Sequence, residues 1–135
     1  MNSRILSQIL PLIVFLFFGI ASCQNAPNSQ EYQSTSNSLA DLNIKLNSDS
    51  TFKFSMRILA TDEDPEEQLY FVGTWKENSN YYDLKFTGER PILNALFDLK
   101  YAEPDEFIIR NDSMISINKS KDVIMIWGVE CEKLY

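Results

Sequence analysis

Residues 39–58 read LADLNIKLNSDSTFKFSMRI, and two runs of alternation inside this stretch decide the fold class. Leu42, Ile44 and Leu46 interleave with Asn43 and Lys45. After Asn47-Ser48-Asp49-Ser50, Phe52, Phe54, Met56 and Ile58 interleave with Thr51, Lys53, Ser55 and Arg57. Successive side chains of a strand point to opposite faces, so period two gathers each apolar set on one face. Four turn-forming residues between two such runs make a β-hairpin.

The same pattern continues downstream. Thr61 to Glu67 (TDEDPEE) is an acidic loop containing Pro65. Leu69, Phe71, Gly73 and Trp75 then alternate with Tyr70, Val72 and Thr74. The chain turns at Glu77-Asn78-Ser79-Asn80 and continues with Tyr82, Leu84 and Phe86, alternating with Tyr81, Asp83 and Lys85. Pro91 can open a short helix with Ile92, Leu93 and Leu96 on one side, because its fixed φ suits a first helical position. Phe97, Leu99 and Tyr101 fit a strand after it. Phe107 and Ile109, Ile115 and Ile117, and the run from Val123 to Lys133 supply three more. The expectation is an all-β fold, an antiparallel up-and-down meander of about eight strands. It forms a closed or partly open barrel with at most one short helix near residues 90–95. In the last strand Val123, Met125, Trp127, Val129 and Cys131 share one face, which predicts Trp127 as a central core residue and Glu130 as a surface one.

Upstream the composition changes. Asn25 to Ser38 (NAPNSQEYQSTSNS) is polar, with Tyr32 as its single aromatic, and reads as a disordered tether. Before it, Arg4 precedes an apolar run from Ile9 to Ile20, closed by Ala21 and Ser22 ahead of Cys23. That is the layout of a secretory signal, and a run of this length is short of the roughly 20 residues a membrane-spanning helix needs. The chain thus divides into a signal segment at 1–22, a cysteine and tether at 23–38, and one β domain at 39–135.

Ile20-Ala21-Ser22-Cys23 resembles a bacterial lipobox. The resemblance implies a diacylglyceryl group on the Cys23 thiol, cleavage before Cys23 by signal peptidase II, and acylation of the new amino group. Two or three acyl chains anchor firmly where one does not. The residue after the cysteine is Gln24 rather than the aspartate that favours inner-membrane retention. The acidic residues used for surface export are also missing from Gln24-Asn25-Ala26-Pro27, so the expected place is the outer membrane, facing the periplasm.

Composition narrows the function. The 12 basic residues include Arg4 in the signal segment, and 19 acids oppose them. Nucleic-acid binding needs clustered Lys and Arg, so that partner class is excluded. The chain has no histidine, which removes serine–histidine and cysteine–histidine nucleophile systems. Of its two cysteines, Cys23 is assigned to lipid, leaving Cys131 without an intrachain partner.

Four sets of residues qualify as candidate sites. Phe52, Phe54, Phe71, Trp75, Tyr82, Phe86 and Trp127 can line an apolar cavity for a small ligand, or simply fill a core. The loop acids Asp62, Glu63, Asp64, Glu66 and Glu67 offer oxygens to Ca²⁺ but lack the glycine and spacing of an EF-hand, so a solvated tip is expected and no metal is assigned. Cys131 shares its face with apolar residues and is expected to be buried and inert. Asp83 and Glu89 are carboxylates with no spacing that marks acid–base work. No catalytic residue, cofactor or enzyme activity is expected.

Asp49-Ser50-Thr51-Phe52, Gly73-Thr74-Trp75 and Ile126-Trp127-Gly128 together resemble the motifs of small lipocalin-like lipoproteins of bacteria. The resemblance spans most of Leu42 to Lys133 and implies the barrel fold. Lipocalins carry Gly-x-Trp in the first strand and this chain carries it in the third predicted strand, so no activity transfers. The functional expectation is a membrane-anchored envelope lipoprotein with a non-catalytic binding or structural domain. The alternative is an accessory subunit or inhibitor that binds another envelope protein. Expected partners are the membrane, through Cys23, and a small apolar ligand or an envelope protein.

Overall fold

The computed structural model describes residues 28–135. The signal segment, Cys23 and the first part of the expected tether, 24–27, lie outside the described residues. The fold is all-β, as the alternation implies. Nine antiparallel strands form one curled, partly open barrel: β1 (Gln30–Ser34), β2 (Ala40–Leu46), β3 (Thr51–Ile58), β4 (Glu67–Asn78), β5 (Tyr81–Thr87), β6 (Phe107–Asn111), β7 (Met114–Asn118), β8 (Val123–Ile126) and β9 (Val129–Leu134). One helical turn, α1 (Leu93–Leu96), stands where Pro91 places it. The strand order is β6-β7-β5-β4-β3-β2-β1-β9-β8. The chain meanders from β1 to β5, then β5 pairs with β7, leaving β6 outside; β9 returns to β1, leaving β8 outside.

Two of the sequence motifs fold into one unit. Phe52 lies opposite Gly73 in the β3–β4 register. A Cβ on Gly73 would stand 1.9 Å from the Lys85 carbonyl oxygen and 2.6 Å from the Phe52 ring, so only glycine fits. Asp49 receives the Thr51 N–H at 3.0 Å and the Thr51 hydroxyl at 2.6 Å, and these bonds hold its carboxyl below its usual pKa. The Trp75 indole N–H donates to the Asn47 carbonyl at 2.8 Å, pinning the β2–β3 turn from inside. The likeness to lipocalin-like motifs is therefore carried by residues that shape the barrel.

Three sequence expectations need correction. Gln30–Ser34, expected within the disordered tether, is strand β1, and its Tyr32 is 0% exposed. It inserts between β2 and β9, and its outward side chains are held by polar partners. The Asn43 side-chain amide donates to Glu31 and to Gln33, both at 2.7 Å. Composition undervalues such a strand because one buried ring and two backbone ladders suffice. Second, no strand runs through Phe97, Leu99 and Tyr101; Phe97 is buried and the other two are exposed. Third, Val123 to Lys133 is a hairpin. Trp127 and Gly128 both have positive φ, +52° and +72°, the signature of a type I′ two-residue turn. Ile126 pairs with Val129 across that turn, so the inward face of β8 is Ile124 and Ile126, while that of β9 is Val129 and Cys131. Trp127 is consequently 37% exposed, while Glu130 is exposed as expected.

The free edges β6 and β8 are joined by the connecting segment. The Leu96 carbonyl accepts the Trp127 N–H at 2.6 Å. The buried Glu106 carboxylate accepts the Met125 N–H at 3.0 Å. These bonds occupy a donor of β8 and one of the turn after it that would otherwise offer an open edge to another strand.

Candidate functional site

Six of the seven aromatics proposed to line a cavity converge inside the barrel and pack on one another. Phe52 meets Phe86 edge-on with centroids 5.0 Å apart, Phe71 meets Phe86 at 6.3 Å, and Trp75 meets Tyr82 at 5.8 Å. Phe54 packs against Phe71 at 6.1 Å. Edge-to-face packing at these distances is that of a close-packed core. The main clefts of the described residues open on the surface, and of the seven only Trp75 and Trp127 border one.

Trp127 is the member the structure sets apart. Antiparallel pairing puts the loops 35–39, 59–66, 88–92, 112–113 and 127–128 at one end of the barrel, and Asn28, the β2–β3 turn and Tyr135 at the other. At the loop end, Trp127 forms a cleft of ≈ 610 Å³ with Ile58, Leu59, Pro65 and the acidic residues Asp64, Glu66 and Glu67. Leu39 is 53% exposed and its carbonyl accepts the Leu59 N–H at 3.0 Å, which extends the apolar surface. Tyr101, also exposed, lies beside the turn, with ring atoms 3.9 Å from where a Gly128 Cβ would stand.

The acidic loop is a compact tip. Thr61 donates its N–H to the Asp64 carbonyl at 2.8 Å, and its hydroxyl oxygen accepts the Asp64 N–H at 3.0 Å. Among the described residues no group of three or more acidic or sulfur side chains converges as a metal site. Arg57 reaches the acids of the cleft, bonded to Asp41 and 3.6 Å from Glu66. Both acids raise the pKa of the Arg57 guanidinium, the hydrogen-bonded Asp41 more strongly.

The remaining candidates are structural. Burial pushes the Cys131 thiol up to about 12. Asp83 and Glu89 are not brought together. Asp83 is buried on the outer face of β5, accepting from the Ser116 hydroxyl at 2.6 Å and the Asn78 amide at 3.0 Å, while Glu89 is exposed beyond the strand. Arg110 donates to the Ser116 oxygen at 3.0 Å, so Ser116 ties the β5–β7–β6 face together.

Sequence reasoning missed the cleft because it placed Trp127 inside. The signal was present: Trp127-Gly128 stands between two apolar runs at the spacing of a two-residue hairpin turn. The chain matches no protein-family model, no curated protein and no solved structure.

Proposed function

We propose that this protein is a membrane-anchored envelope lipoprotein whose non-catalytic, lipocalin-like domain binds another envelope protein through the loop end of the barrel. The observation that carries the reading is the pairing of closely packed interior aromatics with an exposed aromatic cleft at Trp127. Such packing argues against a small ligand held inside, and exposed aromatics in a concave surface are typical anchors of protein recognition. The geometry of anchoring agrees. Six residues separate Cys23 from Gln30 at the opposite end, a reach of at most about 25 Å over the seven steps, so lipid on Cys23 keeps that end towards the bilayer and turns Trp127 away from it. Gln24 favours the outer membrane with the domain facing the periplasm.

Two experiments test the two halves. Cys23→Ala should abolish incorporation of a tagged fatty acid and leave an uncleaved precursor; label retained by the variant would remove the anchor. A photo-crosslinking amino acid at Trp127 should form adducts with another envelope protein in living cells, and the same group at Tyr70, on the outer face of β4, should not. Adducts at both positions alike, or at neither, would remove the docking reading.

A further inference from the structure

The chemistry of the cleft goes further and specifies its occupant. Resting on the docking reading above, we infer that the cleft between Trp127 and the acidic loop takes a basic peptide segment of the partner carrying an apolar side chain.

The argument is one of charge and shape. The cleft has an apolar part, lined by Ile58, Leu59, Pro65 and Trp127. It has an acidic part, lined by Asp64, Glu66 and Glu67, with Asp62 and Glu63 in the same exposed loop. Arg57, the nearby base, is committed to Asp41 and Glu66. An incoming Lys or Arg therefore meets Asp64 and Glu67, which form no ion pair among the described residues, while an apolar side chain beside it covers the indole. Other occupants are disfavoured by the same charges. A second copy of this chain carries the same excess of acids, with a net charge of −7, and an anionic lipid surface would be repelled by the loop.

The turn supports a recognition role for the indole. A type I′ turn favours Asn-Gly, and a bulky residue with positive φ is disfavoured. Trp127 holds that conformation and leaves its ring partly in water. Trp127→Asn removes the ring while supplying the residue the turn prefers, so the variant keeps the hairpin.

The test uses the full lipid-anchored protein in detergent and synthetic peptides of alternating Lys and Leu, Glu and Leu, or Lys and Ser. Each peptide carries a fluorescein label, so binding reads out as a saturable rise in its anisotropy, in the variants as in the parent. The Lys–Leu peptide is expected to bind, and more weakly as salt rises. Trp127→Asn should lose that binding. The triple change Asp64→Asn, Glu66→Gln, Glu67→Gln should weaken it about tenfold at low salt. Equal binding of the Glu–Leu or Lys–Ser peptide, or unchanged binding by Trp127→Asn, would overturn the inference. Failure of the inference is distinguishable from failure of the docking reading by the crosslinks at Trp127. An adduct whose captured segment is acidic or neutral, or is a second copy of this chain, overturns the basic occupant and leaves the cleft a docking site. Absence of any adduct overturns both.

Discussion

At the end of the barrel where the described chain enters, three strand aromatics turn inward and are covered, with Tyr135 standing out in water at the last residue; at the other end Tyr101 and Trp127 stand in loops and meet water. Tyr32, Trp75 and Tyr82 are buried at the first end, and the Lys133 ammonium lies 5.3 Å above the Tyr82 ring. Burial lowers the pKa of that ammonium. Leu39, Tyr101 and Trp127 are exposed at the second end. The difference separates stability from recognition. Burial at the entry end contributes to folding, whereas an exposed ring in a strained turn contributes little and stays available to a partner.

The contrast breaks most visibly at Gly73. Gly73→Ala places a Cβ 1.9 Å from a backbone oxygen that flexible side chains cannot relieve. The expected loss exceeds about 4 kcal/mol, enough to unfold a domain of marginal stability. Urea melts followed by far-UV circular dichroism should show no folded baseline. A cooperative melt near that of the parent would mean that β4 and β5 part easily there, and that the entry end is not the rigid one.

Tyr32 sharpens the comparison through two substitutions. Tyr32→Ala removes a ring with 0% exposure and should cost about 3–5 kcal/mol, as for other large aromatic truncations. Tyr32→Phe keeps the ring and deletes a buried hydroxyl that has no hydrogen-bond partner among the described residues. Burial, reinforced by Tyr82, Tyr135 and Asp122, raises the pKa of that hydroxyl. Removing an unpaired buried polar group is neutral or stabilising, by up to about 1 kcal/mol. A Phe variant as damaged as the Ala variant would show that the hydroxyl is bonded, and that the entry end holds a polar interaction as well as packing.

Cys131 provides a kinetic measure of the same covered interior. Burial raises its thiol from an ordinary 9.0 to about 12, because the thiolate is poorly solvated there. Iodoacetamide should label the folded protein far more slowly than the protein in denaturant. The raised value favours the neutral thiol in the fold, so its contribution to stability is complete below pH 9 and declines as pH rises towards 12. Rapid labelling at neutral pH would show that β9 opens.

How much of this was legible in the chain depends on what held each element. β2 to β5 were plain because every second residue is apolar, and their pairing follows chain order. β1 was hidden because its register is fixed by polar groups: Asn43 bonds Glu31 and Gln33, and the Ser34 hydroxyl accepts the Leu42 N–H at 2.9 Å. The placement of β6 outside β7 rests on contacts distant in sequence, which periodicity does not report. The packed interior was among the readings open for the aromatics, but the cleft was not, because the alternation of Val123 to Cys131 runs unbroken through a turn. Gly128 was the one residue marking it.

The smallest expected effect, at Trp127, decides the comparison most directly. A core tryptophan on a strand face would lose about 3–5 kcal/mol on truncation. At the first position of a type I′ turn the balance is different. Trp127→Asn gives up the partial burial of the ring, but it relieves a positive φ that asparagine tolerates far better. These terms oppose each other, and the net change should lie within about 1 kcal/mol of zero. The backbone bond from Trp127 N–H to the Leu96 carbonyl needs no side chain, so the seam between β8 and the connecting segment persists. A urea melt superimposable on the parent, together with loss of peptide binding, would place the indole in recognition and outside the fold. A loss approaching that of Tyr32→Ala would place Trp127 back in the core and erase the distinction between the two ends.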